Sequence, residues 1–416
     1  MLQYMMHLHR FIRQGIIIKG GHEMSLTKQC DVLVCGGGFA GISAALASAR
    51  YGKKTVLLEK QFLLGGLGTA GLVTIYLPLC DGMGKQVTFG IAEELFRLSI
   101  SLGADDRYPE NWLDFDDVSK RTEKDKRFEV QYNPQLFAIL VEQLLEKAGV
   151  QILYGSYAVD VNKNGDRIQD VIIENKSGRQ KIKVKSVVDA TGDCDIAHFS
   201  GVKTEVFQQG NVLAAWYYYM DETGYHLNTL GVADIPDEQK TKDNQVEMLH
   251  SNRFSGLDGD EISYMTKLYH QAVLNDILER KRTGNMVVPT SIATIPQIRM
   301  TRRIVGEYTL HDSEQHTYFE DSIGMISNWR KRGPVYEIPY SALYSKDVRN
   351  LIVAGRCISV TDSMWDISRV IPSCAVTGQA AGLAAAMTDD FSTLDVKELQ
   401  KVLETSGVVL HEQSKV

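Results

Sequence analysis

Asp31-Val32-Leu33-Val34-Cys35-Gly36-Gly37-Gly38-Phe39-Ala40-Gly41 is the stretch on which the fold turns. An apolar, β-branched run without alternation predicts a strand buried on both faces of a parallel sheet. The glycines that follow match G-x-G-x-x-G. Gly36 permits the tight turn, Gly38 lets backbone approach a pyrophosphate, and Gly41 lets the next helix pack close against the strand. That Ala-rich helix runs to about Tyr51 and stops at Gly52. Its N-terminus, at Phe39 and Ala40, offers free N–H groups and a positive dipole end to phosphates. Lys54 to Leu58 reads as the second strand, delivering Glu59, with Lys60 after it, to the ribose hydroxyls of a bound adenosine. Strand, turn, helix and acid agree in order and distance, which predicts a dinucleotide site. The plain alternative is a βαβ packing turn.

With 416 residues the chain exceeds the size at which single cores stop growing, about 250–300 residues, so two domains are expected. A hydrophobic content of 44% and a charged content of 23% are those of a globular protein. Net charge of −7 and a pI near 5.9 argue against nucleic-acid or anionic-membrane partners. No apolar stretch approaches the about 20 residues of a membrane span. Six cysteines without a C-x-x-C make no disulfide framework, so a reducing cytoplasm is expected; no metal site is assigned. Cys30 and Cys35 point to opposite faces of one strand and read as core residues.

Residues 1–23 carry Arg10, Arg13 and a Gly15-Ile16-Ile17-Ile18 run too brief for a signal-peptide core. Lys19-Gly20-Gly21 back-translates to a purine-rich ribosome-binding sequence just upstream of Met24. In a bacterial source, synthesis is expected to start at Met24, with residues 1–23 a translated leader or a mis-assigned start.

A second glycine-rich loop, Gln61-Phe62-Leu63-Leu64-Gly65-Gly66-Leu67-Gly68-Thr69-Ala70-Gly71, suggests backbone packed against a flat ligand. Here the chain resembles the glutathione-reductase-type flavoproteins, in which an acid, a spacer and a Gly-Gly pair serve the FAD ribityl and pyrophosphate region. The redox cysteines of that superfamily's disulfide reductases are missing after Gly65-Gly66, which removes disulfide chemistry. The charged stretch Asp114 to Lys126 reads as a solvated loop. Asn133-Pro134 is an N-cap and N1 pair opening an amphipathic helix that stops at Gly149. Turn signals at Asn164-Gly165 and Ser177-Gly178 predict an antiparallel meander over 156–187. Ala190-Thr191-Gly192-Asp193 then resembles the A-T-G motif that closes the adenine side of FAD. Ala158, within the meander, joins the expected cofactor contacts.

Residues 200–335 contain no second G-x-G-x-x-G, which argues against a separate NAD(P)H domain. Trp216-Tyr217-Tyr218-Tyr219 could line a pocket above a flavin, although aromatic runs in strands more often divide between core and surface. Pro236 to Arg253 reads as polar loop or exposed helix. On a helix, Arg299, Arg302 and Arg303 would share one face by i, i+3, i+4 spacing. Such a face either anchors two domains through buried carboxylates, the preferred use, or binds a substrate carboxylate or phosphate.

The second strong block runs from Tyr336-Glu337-Ile338-Pro339 through Asn350-Leu351-Ile352-Val353-Ala354-Gly355-Arg356 to Ser368-Arg369-Val370-Ile371-Pro372-Ser373 and the small-residue run Thr377-Gly378-Gln379-Ala380. A helix N-terminus near Thr377-Gly378 would aim its dipole at a flavin pyrimidine. Together, Asp31 to Ala386 resembles the bacterial FAD-dependent oxidoreductase family related to the succinate dehydrogenase and fumarate reductase flavoproteins. The resemblance implies an α/β fold: an FAD/NAD(P)-binding Rossmann-like domain with a three-layer β/β/α or α/β/α core, and an inserted α+β substrate-covering domain. The expected divisions are 24–200 and 336–390 for the FAD domain, 201–335 for the covering domain and 391–416 for a C-terminal helix and tail. No counterpart of a histidine carrying covalent FAD is found, so FAD is expected to be non-covalent. Trp365-Asp366 stands where that family's pattern is small or polar.

The reaction so implied passes hydride between a small-molecule substrate and flavin N5. Arg369 and the Arg299/Arg302/Arg303 face are candidate substrate anchors, and Asp362 or Asp366 a general base, each acid being equally readable as a loop carboxylate or N-cap. A carboxylated substrate would use the arginines. A non-catalytic FAD-fold binding protein is the alternative, disfavoured by the intact Gly36, Gly38, Gly41 and Glu59; a nicotinamide-only dehydrogenase is third.

Overall fold

The sequence of the first βαβ unit folds as its pattern dictates. In the computed structural model, which describes residues 29–102, 129–231, 236, 240–241, 248–284 and 286–412, strand β1 (Val32–Cys35) is wholly buried. The 1–23 leader, the start at Met24 and the charged stretch Asp114 to Lys126 lie outside these residues, as does part of Pro236 to Arg253. Helix α1 (Phe39–Arg50) follows, then β2 (Thr55–Leu58), buried throughout. Asn133 caps helix α2 (Pro134–Lys147), its side-chain oxygen accepting from Gln135 N and Leu136 N at 3.1 and 3.0 Å, with Pro134 at the first turn. This helix leads to β3 (Gln151–Leu153).

Three strands, β4 (Tyr157–Asn164), β5 (Arg167–Asn175) and β6 (Gly178–Lys183), form the expected antiparallel meander, turning at Asn164-Gly165 and Ser177-Gly178. The chain re-enters the main sheet as β7 (Ser186–Asp189). Later it adds β11 (Leu351–Val353), giving a five-stranded parallel sheet in the order β11-β7-β1-β2-β3. Crossovers through α1 and α2 are both right-handed by rule and so place both helices on one face. The meander covers the other, its Ile168, Val171, Ile173 and Ile182 joining the same apolar core. The layers are therefore β/β/α, within the two arrangements expected.

Register fixes the ligand edge. Cys35 stands between Leu58 of β2 and Asp189 of β7, so Gly36, Glu59 and Ala190 emerge side by side at the carboxyl ends of three adjacent strands. The connections from β1 and from β7 leave toward opposite sides there, the place where open α/β sheets bind ligands.

A second apolar cluster stands apart. The strands β8 (Ala215–Asp221), β9 (Gly224–Leu230) and β10 (Val288–Ile292) make an antiparallel sheet ordered β9-β8-β10. The long helix α3 (Gly259–Arg282) packs on it through Met265, Tyr269 and Val273. Tyr217 and Tyr218 are fully buried in this core, where large apolar side chains each contribute about 1.5–3 kcal/mol. Tyr269 ties the layer together, donating to Trp216 O at 2.8 Å and accepting from Ala293 N at 2.6 Å. Leu72, just after the second glycine loop, and residues between Leu213 and Ile298 supply this core, the latter a narrower span than 201–335. The hairpin formed by Ser322–Ser327 and Val335–Pro339 instead belongs to the main core, through Ile323, Ile326, Tyr336 and Ile338.

Two further helices complete the FAD-side layer: α4 (Asp362–Ser368) and α5 (Ile371–Met387). α5 is buried over nearly its whole length, with α1 its main neighbour. Among the described residues no single helix is long and apolar enough to cross a membrane.

Candidate functional site

Each glycine of the first turn is held by a different neighbour. Gly36, at φ +104°, would place a Cβ 2.4 Å from Ala190 O, and Gly41 would place one 1.7 Å from Gly36 O, so protein backbone excludes side chains at both. Gly38 is different. A Cβ there would meet nothing within 4 Å, at an ordinary φ of −71°. It is the residue before α1, which has no side-chain cap, so the first-turn N–H groups face that open space. The second glycine loop closes on it: Gly65 N donates to Gly37 O at 2.8 Å, and a Cβ on Gly66 would lie 3.2 Å from Gly38 Cα.

Glu59 is buried, its carboxylate accepting from Gly37 N at 2.8 Å and Gln61 N at 2.7 Å. Burial raises its pKa against these N–H groups and Lys60. The acid expected at a ribose thus also fastens the first glycine turn to the second loop. Phe39 is buried against Tyr76, Tyr132 and Phe137, while Lys60 is exposed and Leu67 and Ala158 half-buried.

A second polar locus lies at the start of α5. Ser368 Oγ, Arg369 Nε and Ser373 Oγ are buried there without a hydrogen-bond partner. Leaving such groups unpaired costs about 1–3 kcal/mol each. The helix is uncapped and begins at Ile371, which corrects the expectation of an N-terminus near Thr377-Gly378. Thr377 sits in mid-helix, donating to Ser373 O and accepting from Gly355 N, both at 2.9 Å. Gln379 Oε1 accepts from Ile91 N at 2.8 Å, and Ala380 is fully buried. Gly378 and Gly382 let α5 lie against Ala40 and Ala44 of α1, in the same direction. Their role is packing. Seven residues separate Ile371 from Gly378, so α5 projects about 10 Å past the start of α1. Two uncapped helix starts therefore point the same way, offset along the helix axis.

Thr191, Gly192 and Asp193 follow β7 at the same sheet edge. Gly192, at φ +82°, would drive a Cβ to 2.3 Å from an Arg356 nitrogen. Arg356 donates to Ile298 O at 2.5 Å and lies 3.4 Å from Asp193 Oδ1, which also accepts from Thr301 Oγ1 at 2.9 Å.

A family model described as FAD dependent oxidoreductase matches residues 31–215 and 220–403. The chain belongs to the FAD dependent oxidoreductase family. Its cofactor is FAD, and it is an enzyme. The chain is similar to the digeranylgeranylglycerophospholipid reductase of Thermoplasma acidophilum, 26% identical over 214 residues that cover 49% of this chain and 51% of that protein. It is also similar to the thiamine thiazole synthase of Methanococcus maripaludis, 29% identical over 177 residues covering 40% of this chain and 58% of that one. The chain thus spans about half the length of the curated relatives it matches. Among solved structures it is similar to a geranylgeranyl bacteriochlorophyll reductase-like protein from Thermoplasma acidophilum, with a TM-score of 0.44 and 15% identity over 91% of this chain and 82% of that one. A flavocytochrome c3 fumarate reductase in an open conformation gives a TM-score of 0.40 and 15% identity over 86% and 78%.

The residues present fit FAD. Open space at Gly38 before an uncapped helix suits a pyrophosphate, and the unpartnered Ser368, Arg369 and Ser373 atoms at the α5 start call for a polar ligand edge.

In this FAD dependent oxidoreductase the arginines are not on one helical face. Gln297 to Thr301 is extended loop and Arg302–Ile304 a strand pairing with Thr204–Val206, so the three side chains diverge. Arg302 meets Asp195 at 2.9 Å; Arg303 meets Asp362 at 2.5 Å and Glu205 at 3.0 Å, and covers Trp365 at 4.7 Å. These two arginines, with Asp362, join elements of the fold through part-exposed or exposed carboxylates, so neither the buried carboxylates nor the shared anion-binding face expected from sequence is found here. Thr361, not Asp362, caps α4.

Asp366 is fully buried between Arg330 and Arg369, at 2.5 and 2.6 Å. Burial would raise its carboxyl; Arg369 and Arg330 overcome that and hold it below the usual range. A carboxylate so held is a poor proton acceptor at neutral pH. Arg369 is only 8% exposed in its side chain and carries the unpartnered Nε.

Several site residues escaped the sequence. Asp195 is pushed up to about 6 by burial and by Asp193 and Asp189. Its only signal was its place two residues after Asp193. Asn211 and Gln297, discussed below, carried no motif at all.

Proposed function

We propose that the protein passes hydride between a small-molecule substrate and a non-covalently held FAD, with the substrate entering between the two cores. FAD, when bound, supplies the hydride acceptor or donor. The observation that carries this reading is the trio of unpartnered atoms on Ser368, Arg369 and Ser373 at the start of α5, about 10 Å along the helix axis from the start of α1.

Each part of the chain has a task in it. Gly36 and Gly41 hold the turn, Gly38 leaves room for phosphate, and the α1 start donates N–H groups to it. The dipole of α5 and the charge of Arg369 favour negative charge developing at the reacting end. Trp216 and the Tyr217–Tyr218 layer form an apolar cover that excludes water from one side. Arg356 and Asp193 hold the segment from Ile298 to Thr301 against the FAD domain. The six cysteines are all free thiols, in keeping with the reducing cytoplasm proposed as its location.

Anaerobic mixing of the yellow protein with pools of small metabolites, followed by flavin bleaching, tests the function. Bleaching by a defined compound, with reoxidation by an added acceptor, is expected. A protein that holds flavin but is bleached by no pool, and whose reduced form is reoxidised by none, would favour the non-catalytic alternative.

A further inference from the structure

Arg299, at the seam between the two cores, is an arginine that no carboxylate of the described residues pairs with. Arg302 meets Asp195, Arg303 meets Asp362 and Glu205, Arg356 meets Asp193, and Arg330 and Arg369 share Asp366. Arg299 has Gln297 Oε1 at 2.6 Å, and among the described residues no carboxylate lies within 4.0 Å of its guanidinium. Burial, then the like charge of Arg369, push its guanidinium down to about 9, still cationic at neutral pH.

Its position is fixed from three directions. Asn211 Oδ1 accepts from Arg299 N at 2.9 Å and Met300 N at 3.0 Å, while Asn211 Nδ2 donates to Met300 O at 2.6 Å. Gln297 Nε2 donates to Gly71 O at 2.8 Å, tying the segment to the second glycine loop. Arg356 holds Ile298 O from the FAD-domain side. One face of the guanidinium lies over Trp216, 5.3 Å from the ring centre. The side chain is half-buried, so the donors that Gln297 does not take open on the seam. Asp366 opposes the downward shift of its pKa from beyond salt-bridge reach, so Arg299 is a preorganised, partly desolvated cation with no carboxylate bonded to it, which is what recognition of an anion requires.

We propose that Arg299, positioned by Gln297 and Asn211, binds a carboxylate of the substrate, so that the enzyme acts on an organic acid; the proposal rests on the oxidoreductase function argued above. The planar fork suits a carboxylate bidentately. Inorganic phosphate, which the same fork can also hold, is the competing anion that the test separates. The cofactor's own phosphates have the α1 start and Gly38, so Arg299 is not needed for them.

The test uses purified holoprotein, its flavin content measured first. Acetate, succinate, benzoate and inorganic phosphate are titrated in, with acetamide and succinamide as neutral controls, and flavin difference spectra and thermal shift are followed. At least one carboxylate is expected to give a saturable change that its amide does not. Arg299→Gln should weaken that binding about tenfold or more with flavin content unchanged, and Arg299→Lys should weaken it less. Preference for phosphate, silence from every carboxylate, binding indifferent to Arg299→Gln, or flavin loss in Arg299→Gln would each overturn the proposal. Wild-type protein without flavin would instead overturn the function on which it rests.

Discussion

Gly378 rests directly on Ala40: a Cβ on Gly378 would stand 2.2 Å from the Ala40 carbonyl oxygen. Because Ala40 lies in the first turn of α1, this contact sets how far the α5 start stands from the glycine turn. Stability and cofactor geometry are therefore joined at one residue.

Gly378→Ala is expected to force the helices apart, costing about 1–3 kcal/mol by overpacking. Thermal unfolding with flavin content measured in parallel checks it. Both should fall together, and an unchanged melting temperature would contradict the close crossing.

Gly38 and Gly41 should behave oppositely. Gly38→Val adds a side chain where only open space lies, so the fold should persist while FAD retention is lost. Gly41→Ala meets Gly36 O at 1.7 Å and should destabilise the fold itself. Circular dichroism and flavin absorbance separate the two. A Gly38→Val protein that kept its flavin would remove the pyrophosphate from that position.

Asp366→Asn leaves Arg330 and Arg369 short of their shared counter-charge, a loss of about 3–5 kcal/mol for a buried pair. The sign with pH follows from the depressed carboxyl. Its contribution is fully present above the unfolded value, about pH 3.9, and is lost as pH falls through the folded value. Melting temperatures of the two proteins should thus differ by a constant amount from neutral pH down to about pH 5 and converge in stronger acid. A difference that grew with acid would contradict the ionised form.

Arg369→Ala should retain FAD through the glycine turn but lower the flavin reduction potential and cripple turnover, with Arg369→Lys recovering part of the potential. An unchanged potential and rate would demote Arg369 to a brace for Asp366.

Much of the FAD domain was legible because its signals are local. The run from Val32 to Gly41 specifies strand, turn and helix within ten residues of one another, and Asn133-Pro134 and the two hairpin turns did the same. Where a residue's role depends on distant partners the sequence misled. The spacing of Arg299, Arg302 and Arg303 suits a helix, yet Asn211 captures the backbone N–H groups of Arg299 and Met300 and holds the segment extended. Gly378 resembled a helix boundary, whereas it is a notch for Ala40, and Pro372 near the true start marks the helix terminus. Gln297 could not have been singled out, since its importance lies in bridging Gly71 and Arg299.

The most direct measurement is the visible spectrum of the purified protein before and after heat denaturation, with the released chromophore identified by chromatography. A flavin band that passes entirely into the supernatant as FAD, at one per chain, is predicted. A colourless protein, or flavin that remains with the precipitated chain, would contradict non-covalent FAD held between Gly38 and Arg369.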